Sequence, residues 1–111
     1  MEEKLIIAFN ITKTYDRLLQ GVGDRTSIYD CTRHYWKVQK AKAELADLVF
    51  GVAHGRVVGV YKPTSWHYVK YHDSIRVEFE GLDITDSSYH GKDVSEYFHR
   101  VQNPVRYIGN W

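Results

Sequence analysis

Several features that would place a protein in a special class are scarce in this chain of 111 residues. It has a single cysteine, Cys31, which excludes an internal disulfide and is typical of proteins in the reducing cytosol. No apolar run approaches the roughly 18 residues that a membrane-spanning helix needs. The first residues, MEEKLIIAFNITK, carry acidic side chains where a signal peptide carries basic ones. The sequence therefore predicts a cytoplasmic protein without a membrane partner.

Motifs for metal binding and catalysis are also missing. Six histidines are scattered along the chain with no pair at metal-ligand spacing, so we expect neither a metal nor another cofactor. The sequence lacks a phosphate-binding loop, a dinucleotide glycine fingerprint and a nucleophile elbow. Glu78 and Glu80 share one face of a predicted strand, but both are expected to face water. The sequence favours a non-enzymatic protein, the alternative being a nuclease or cyclic-nucleotide hydrolase that uses His34 or His99.

Charge is unevenly distributed along the chain, although the net charge is only +1. Residues 12–42 hold seven Lys and Arg against three Asp, whereas residues 77–96 hold six acids against one Lys. A basic N-terminal half is consistent with an anionic ligand held there. Aromatic residues make up 14% of the chain, and Tyr and Trp are enriched both in cores and at recognition surfaces.

The hydrophobic pattern predicts a short buried strand at residues 4–11. The following residues, 12–26, hold Gly21 and Gly23 and are expected to end as a mobile loop. Ser27 is a predicted helix cap and Asp30 the matching acid of a capping box, so a helix is expected over residues 28–36. A second short helix is expected within residues 38–48.

A tight hairpin is predicted in the middle of the chain, with its turn at His54-Gly55. Pro63 is expected to end the second strand of this hairpin and to leave Trp66 in a loop. Strict alternation then predicts a strand at residues 75–81. A short helix near residues 94–98 and a last strand at residues 105–108 complete the pattern.

This order of elements predicts a single α+β domain spanning residues 1–111. Its sheet is expected to be small, mixed and curled, or a partial β-barrel, with two or three short helices.

The most unusual stretch is IYDCTRHYWKV, residues 28–38. Helical spacing places Ile28, Cys31 and Tyr35 on one face and Arg33 and Lys37 on the opposite face. The first face is expected to anchor the helix, with Cys31 a core or surface thiol, and the second face is expected to be presented to a partner.

Five fragments occur here in one order: YDCTRHYWKV, ADLVFGVAHGRVVGVYKPTSW, RVEFEG, YHGKDV and QNPVRYI. Together they resemble the C-terminal domain that follows a GIY-YIG nuclease domain in a group of bacterial proteins. That domain is similar to PUA-like (EVE- and ASCH-like) small β-barrels, whose relatives bind RNA or modified bases. The resemblance does not imply nuclease activity, because this chain has no GIY-YIG domain. Cys31 and His34 depart from the family pattern, which often has Ala and Gly there.

The resemblance implies a set of ligand-binding residues that the fold would bring together. Arginine suits fork-like contacts with phosphates and base edges, asparagine offers a donor and an acceptor, and aromatic rings stack on bases. Two structural alternatives stay open: Trp36 plugs one end of the barrel, or Arg33 and Arg76 tie the helix to the sheet through an Arg–Glu network. The expected binding residues are Tyr29, Thr32, Arg33, Trp36, Trp66, Arg76, Asn103 and Arg106.

The sequence thus predicts a small, non-enzymatic module that recognises nucleic acid or a modified nucleotide, in a setting of phage–host conflict. One alternative is a sponge or sensor for a small nucleotide signal. Another is a protein–protein inhibitor or adaptor of a defence nuclease, for which the partner is a protein.

Overall fold

The computed structural model describes residues 4–99 and 102–111, and within them five strands form one mixed sheet. The elements are β1 (Ile6–Asn10), α1 (Thr12–Leu19), α2 (Ile28–Arg33), α3 (Lys40–Ala43), β2 (Leu48–Ala53), β3 (Arg56–Tyr71), β4 (Ser74–Asp83), a 3-10 turn (Ser95–Tyr97) and β5 (Val105–Ile108). Across the sheet the strands lie in the order β4-β3-β2-β1-β5. This curled sheet with three short helices confirms the predicted α+β class.

Strand β1 lies inside the sheet because it pairs on both sides. It runs parallel to β2, from Ile6 opposite Leu48 to Asn10 opposite Val52, and antiparallel to β5. Helices α1 to α3 form the crossover between the two parallel strands. A strand covered on both faces is apolar throughout, and the first four residues of β1 are accordingly all buried.

The sheet carries a hydrophobic core on each face. The helix-side core contains Phe9, Tyr61 and Phe79, and side chains of α1 and α2 pack against it. The second core contains Phe50 and Val60 and is covered by residues from the segment between β4 and β5, such as Tyr89 and Phe98. The radius of gyration, 13.2 Å, is that of one compact domain of this length. No helix in the described ranges has the length and apolarity needed to cross a bilayer.

Two local predictions are confirmed. The hairpin turn lies at His54 and Gly55, whose φ angles of 52° and 77° are those of a tight turn with the twist of its strands. At the start of α2, the Ser27 hydroxyl oxygen accepts a hydrogen bond of 3.0 Å from the backbone N–H of Asp30, which confirms the predicted cap. The Asp30 carboxylate accepts one of 3.0 Å from the N–H of Thr26, the residue before the cap, where the predicted capping box has the N–H of Ser27.

The N-terminal half contains a helix that the sequence pattern did not predict. Residues 12–19 form α1. Just before the helix, the side-chain oxygen of Asn10 accepts hydrogen bonds from the backbone N–H and the hydroxyl of Thr12. Tyr15 and Leu18, one turn apart, pack against the helix-side core. The two glycines of this segment follow the helix and do not prevent it, since α1 ends at Leu19 and Gly21 has a φ of 73°. Helix α2 is shorter than the expected residues 28–36 and ends at Arg33.

The prediction that Pro63 ends its strand, with Trp66 in a loop, was wrong. Strand β3 continues to Tyr71, and Trp66 lies within it, 7% exposed. Pro63 is tolerated because β2 pairs with β3 only up to Tyr61, so the proline lies on a local edge of the sheet. The ladder with β4 shifts register between Pro63 and Ser65, which marks a bulge.

Gly81 lies opposite this bulge, and we expect Gly81→Ala to destabilise the fold. A Cβ atom there would lie 2.5 Å from the backbone oxygen of Lys62 and 3.1 Å from the Cα of Pro63. Because neither backbone atom is free to move away, the free energy of unfolding should fall by about 1–3 kcal/mol. Urea denaturation measures this change.

Ser65→Ala is the matched control for this substitution. Ser65 is exposed on the other side of the bulge, so its loss should leave stability almost unchanged. Equal stabilities for the two variants would contradict the close packing of β4 against the bulge.

Candidate functional site

The described residues form a concave surface on the helix side of the sheet. Its central cavity has a volume of about 640 Å³, which lies in the range that encloses a small-molecule ligand. The walls come from the end of β1 and the start of α1, from α2 and the residues on either side of it, from the end of β3 and the start of β4, and from the segment before β5. The lining residues are Asn10, Ile11, Thr12, Lys13, Thr14, Arg25, Cys31, His34, Tyr35, Trp36, Tyr71, Arg76, Gln102 and Pro104.

A smaller cavity adjoins the central one on each side. The α1-side cavity, about 420 Å³, shares Thr14, Arg25 and Tyr71 with the central cavity. The β5-side cavity is also about 420 Å³. It shares four residues with the central cavity, namely Tyr35, Trp36, Arg76 and Pro104. The three cavities therefore form one continuous concave surface.

Trp36 lies at the boundary between the central and β5-side cavities and is held rigidly. Its ring stacks on Phe9 with centroids 4.2 Å apart and planes 6° apart. Its indole N–H donates a 2.6 Å hydrogen bond to the carbonyl of Thr32, and its backbone exchanges two 2.9 Å hydrogen bonds with Val77. The stacking contact with Phe9 uses only one face of the Trp36 ring. Trp36 thus packs on the core and also lines the two cavities.

Tyr35 adopts a backbone conformation that is uncommon for a bulky residue, with φ of 68°. Its ring stacks between those of His34 and Tyr71, at centroid distances of 4.7 and 4.3 Å. The expectation that Tyr35 would anchor the helix together with Ile28 was wrong, because α2 ends two residues earlier and the chain then turns. Strained residues of this kind cluster at functional sites.

Among the described residues, the charged side chains that line the three cavities are mainly positive, with five cations and one acid, Asp24. Arg25 lies between the α1-side and central cavities, and Arg76 lies between the central and β5-side cavities. Lys13 lines the central cavity, Arg17 the α1-side cavity and Lys37 the β5-side cavity.

These cations are poorly neutralised by the described part of the chain. Arg25 contacts the 89% exposed carboxylate of Asp24 at 3.3 Å, and Lys13, Arg17, Lys37 and Arg76 form no ion pair with a described residue. The guanidinium of Arg76 is held instead over the ring of Tyr71, 5.8 Å from its centre. The surface therefore combines poorly neutralised positive charge with partly exposed aromatic rings, which suits an anionic, flat ligand.

Arg25 carries a further polar group without a partner. Its guanidinium lies over the Tyr35 ring, 5.0 Å from the centre, and its side chain is 15% exposed. The Nε atom is buried and donates no hydrogen bond to any described residue. A buried donor without an acceptor is costly, and a ligand oxygen would satisfy it.

Beside the cavity, the end of α2 is tied to the sheet through Glu78 of β4. The Glu78 carboxylate contacts Arg33 Nη2 at 3.3 Å, His34 Nδ1 at 2.8 Å and His67 Nε2 at 2.9 Å. Arg33 Nε also donates a 3.0 Å hydrogen bond to the carbonyl of Phe79. The predicted alternative of an Arg–Glu network between helix and sheet therefore describes Arg33.

Glu78 is 7% exposed, so the expectation that it faces water was wrong, whereas Glu80 is exposed. Burial by itself raises the pKa of Glu78, but the hydrogen bonds from His34 and His67 and the positive charge of Arg33 outweigh it. The net result is a pKa below the ordinary value. Glu78 is thus a buried carboxylate that stays ionised because three basic side chains surround it.

Three of the residues predicted from the sequence meet at the concave surface: Trp36, Arg76 and Asn103 all line the β5-side cavity. Asn103 Oδ1 accepts a 3.0 Å hydrogen bond from the N–H of Val105, which shapes the turn before β5. Its amide nitrogen makes no hydrogen bond with a described residue, so it is available as a donor.

Two further predicted residues lie inside the helix-side packing. The Tyr29 hydroxyl accepts a 3.0 Å hydrogen bond from the N–H of Gly81. Thr32 is fully buried, and its hydroxyl donates a 2.8 Å hydrogen bond to the carbonyl of Ile28. Both side chains support α2 from beneath.

Trp66 and Arg106 lie away from the cavities. The ring of Trp66 packs against Phe79 at 5.1 Å in the core. Arg106 pairs with Ala8 on the second face of the sheet, where its Nε donates a 2.9 Å hydrogen bond to the carbonyl of Tyr97. Cys31 is 2% exposed, and burial raises the pKa of its thiol, so it belongs to the core.

Sequence reasoning did not single out Lys13, Arg17, Arg25 or Tyr71. The signal that pointed to the first three was the excess of Lys and Arg in residues 12–42. No local pattern marks Tyr71, because it reaches the site only through the length of β3.

In comparisons with known proteins, no family model, no curated protein and no solved structure matches the chain. Within residues 4–99 and 102–111, no group of three or more His, Cys, Asp or Glu side chains is arranged to hold a metal ion.

We expect Glu78→Gln to destabilise the protein and to flatten its stability at acid pH. The carboxylate has a lower pKa in the folded protein than its ordinary value of 4.5, so it stabilises the fold above that pH. This stabilisation is lost as the pH falls through the lower folded-state pKa. At about pH 7 the variant should lose roughly 1–3 kcal/mol of unfolding free energy, measured by urea denaturation across the pH range.

Glu80→Gln is the control, because Glu80 lies on the same face of β4 but is exposed. Its carboxylate oxygen lies 3.9 Å from Arg33 Nη2, which is too far for a hydrogen bond. This substitution should change stability by less than about 0.5 kcal/mol at any pH. Parallel stability–pH curves for the wild-type protein and Glu78→Gln would contradict the role of Glu78.

Proposed function

We propose that this chain is a small, non-enzymatic module that binds nucleic acid or a nucleotide on the concave surface of its helix side. The observation that carries the proposal is the pairing of a rigid aromatic ring with unneutralised cations around one cavity. Trp36 supplies the ring, and Arg25 and Arg76, which line the same central cavity, supply the charge.

Trp36 has the features of a stacking platform. Its contact with Phe9 and its hydrogen bond to Thr32 fix the plane of the ring before any ligand arrives. A base that stacks on a fixed ring loses less entropy than one that must order a mobile side chain. Stacking of this kind contributes about 1–3 kcal/mol per base.

The cations supply the complementary electrostatic contribution. Arg33 is neutralised by Glu78, but Arg76 faces the cavity without a carboxylate among the described residues. Arginine donates two parallel hydrogen bonds to a phosphate, which gives orientation as well as affinity. Asn103 adds a free amide donor for a base edge.

The resemblance to PUA-like accessory domains supports the same class of ligand, including modified bases, and is the basis for proposing a role in phage–host conflict. The low cysteine content supports a cytoplasmic site of action. A second candidate, a sensor or sponge for a small nucleotide signal, is supported by the volume of the central cavity, which suits one small ligand.

We expect ligand binding to quench the fluorescence of Trp36 specifically. Of the three tryptophans, Trp66 is buried in the core and Trp111 packs against Tyr107. Trp36→Phe keeps a ring on Phe9, so affinity should fall by less than about tenfold while the quenching disappears. Fluorescence titration with short oligonucleotides and nucleotides measures both quantities.

Trp111→Phe is the control and should bind and quench as the wild-type protein does. A thermal-shift assay provides a second readout, since a ligand at 100 times its dissociation constant stabilises the fold by about 2.7 kcal/mol. If no oligonucleotide or nucleotide quenches fluorescence or shifts the melting temperature, the proposed function is wrong.

Arg76→Ala and Arg106→Ala separate the concave surface from the other face of the sheet. Each variant removes one arginine, but of the two only Arg76 lines one of the three cavities described above. Loss of one phosphate contact should lower affinity roughly tenfold for Arg76→Ala. Arg106→Ala should bind as the wild-type protein does, and a loss of binding in that variant alone would move the site to the second face.

A further inference from the structure

The positions of Arg25 and Arg76 indicate the class of the ligand in addition to its negative charge. Arg25 lies at the junction of the α1-side and central cavities, and Arg76 lies at the junction of the central and β5-side cavities. Each boundary of the central cavity with a flanking cavity therefore has one arginine, and the Trp36 ring lines the central cavity together with both.

We infer that the ligand is a single-stranded nucleic acid, held at an internal nucleotide whose base stacks on Trp36 while the flanking phosphates contact Arg25 and Arg76. This inference rests on the proposed function. A mononucleotide has phosphate on one side of its base only, so it would use one of the two arginines. A strand has phosphates on both sides of each internal nucleotide and would use both.

The continuous concave surface supports a strand as well. Three adjoining cavities exceed what one small ligand needs, because the central cavity alone already has the volume for it. The two flanking cavities each carry a further exposed cation, Arg17 on the α1 side and Lys37 on the β5 side. Positive charge thus continues beyond both boundaries of the central cavity, as a polyanion requires.

Arg25 has an unsatisfied hydrogen-bond donor that suits a phosphate oxygen. Its guanidinium lies over the ring of Tyr35, whose backbone is strained, and its buried Nε lacks an acceptor in the described structure. The exposed carboxylate of Asp24 occupies only Nη1 of its fork. A phosphate oxygen at this cavity boundary would supply the missing acceptor.

The strand must be single because Trp36 lines a concave surface, together with Tyr35 and Pro104. A base inside a duplex stacks on its neighbours and does not present its face to a protein ring. The modest net charge of +1 fits a short footprint rather than the long phosphate tracks of duplex-binding proteins.

A length series tests this inference by fluorescence anisotropy. The probes are a labelled nucleoside 5′-monophosphate, single strands of about four to eight nucleotides in DNA and RNA form, and a duplex of equal length. We expect the single strands to bind at least tenfold more tightly than the mononucleotide and the duplex. Their affinity should fall with salt with a logarithmic slope of about −0.7 for each phosphate contacted.

Arg25→Ala and Arg76→Ala should each reduce that slope by about 0.7, whereas Trp36→Phe should leave it unchanged. Arg106→Ala is the control on the other face of the sheet. Arg25→Lys, which keeps the charge without the fork, guards against a folding defect, and melting curves show whether each variant is folded.

The possible failures are distinguishable. If the mononucleotide binds as tightly as the strands with little salt dependence, a strand as ligand is wrong while nucleotide binding stands. If Arg25→Ala is folded and leaves the slope unchanged, the phosphate site at Arg25 is wrong. If none of the probes binds, the proposed function itself is wrong.

Discussion

The buried carboxylate of Glu78 is the interaction on which the arrangement of the site depends. It lies on β4, and the last residues of α2 meet there because Arg33 and His34 both bind it. A charge at 7% exposure is tolerated only while its donors stay in place, so the end of α2 has one position relative to the sheet. The chain then turns at Tyr35 and returns to the sheet at Trp36, which pairs with β4 at its backbone.

Trp36 links this network to β1, which lies three strands from β4 in the sheet order. Its ring rests on Phe9 of β1, the strand that pairs with both β2 and β5 inside the sheet. Packing on β1 makes the platform part of the core rather than a mobile surface residue. The cavity wall is thus fixed from two directions, by hydrogen bonds to β4 and by stacking on β1, and rigid positioning of this kind favours binding.

The same residue type has two roles in this fold because acids are placed unevenly. Arg33 meets Glu78 and holds the helix, whereas Arg25 and Arg76 reach the cavity where the described residues offer only the exposed Asp24. Arg33 is neutralised inside the structure, whereas Arg76 has no ion pair with a described residue and Arg25 has only Asp24. The uneven charge along the chain becomes, in the folded protein, a separation between one neutral network and one basic concave surface.

The sequence predicted the parts of this fold that depend on neighbouring residues, and the tertiary structure decided those that depend on distant ones. Local rules predicted the elements whose causes are local: the Ser27 cap of α2, the His54-Gly55 turn and the alternating strand around Phe79. They failed where distant partners decide. Pro63 stays within a strand because β2 has already ended beside it.

The site follows the same division. The excess of cations in residues 12–42 and the prominence of Trp36, Arg76 and Asn103 were visible in the sequence, because composition and motif are properties of the chain. Which arginine is neutralised was decided only by the tertiary structure, because Arg33 and Glu78 are 45 positions apart and their attraction depends on distance in space. Amino-acid order thus determined the types of groups and the local elements, and packing of the sheet decided which groups face the cavity.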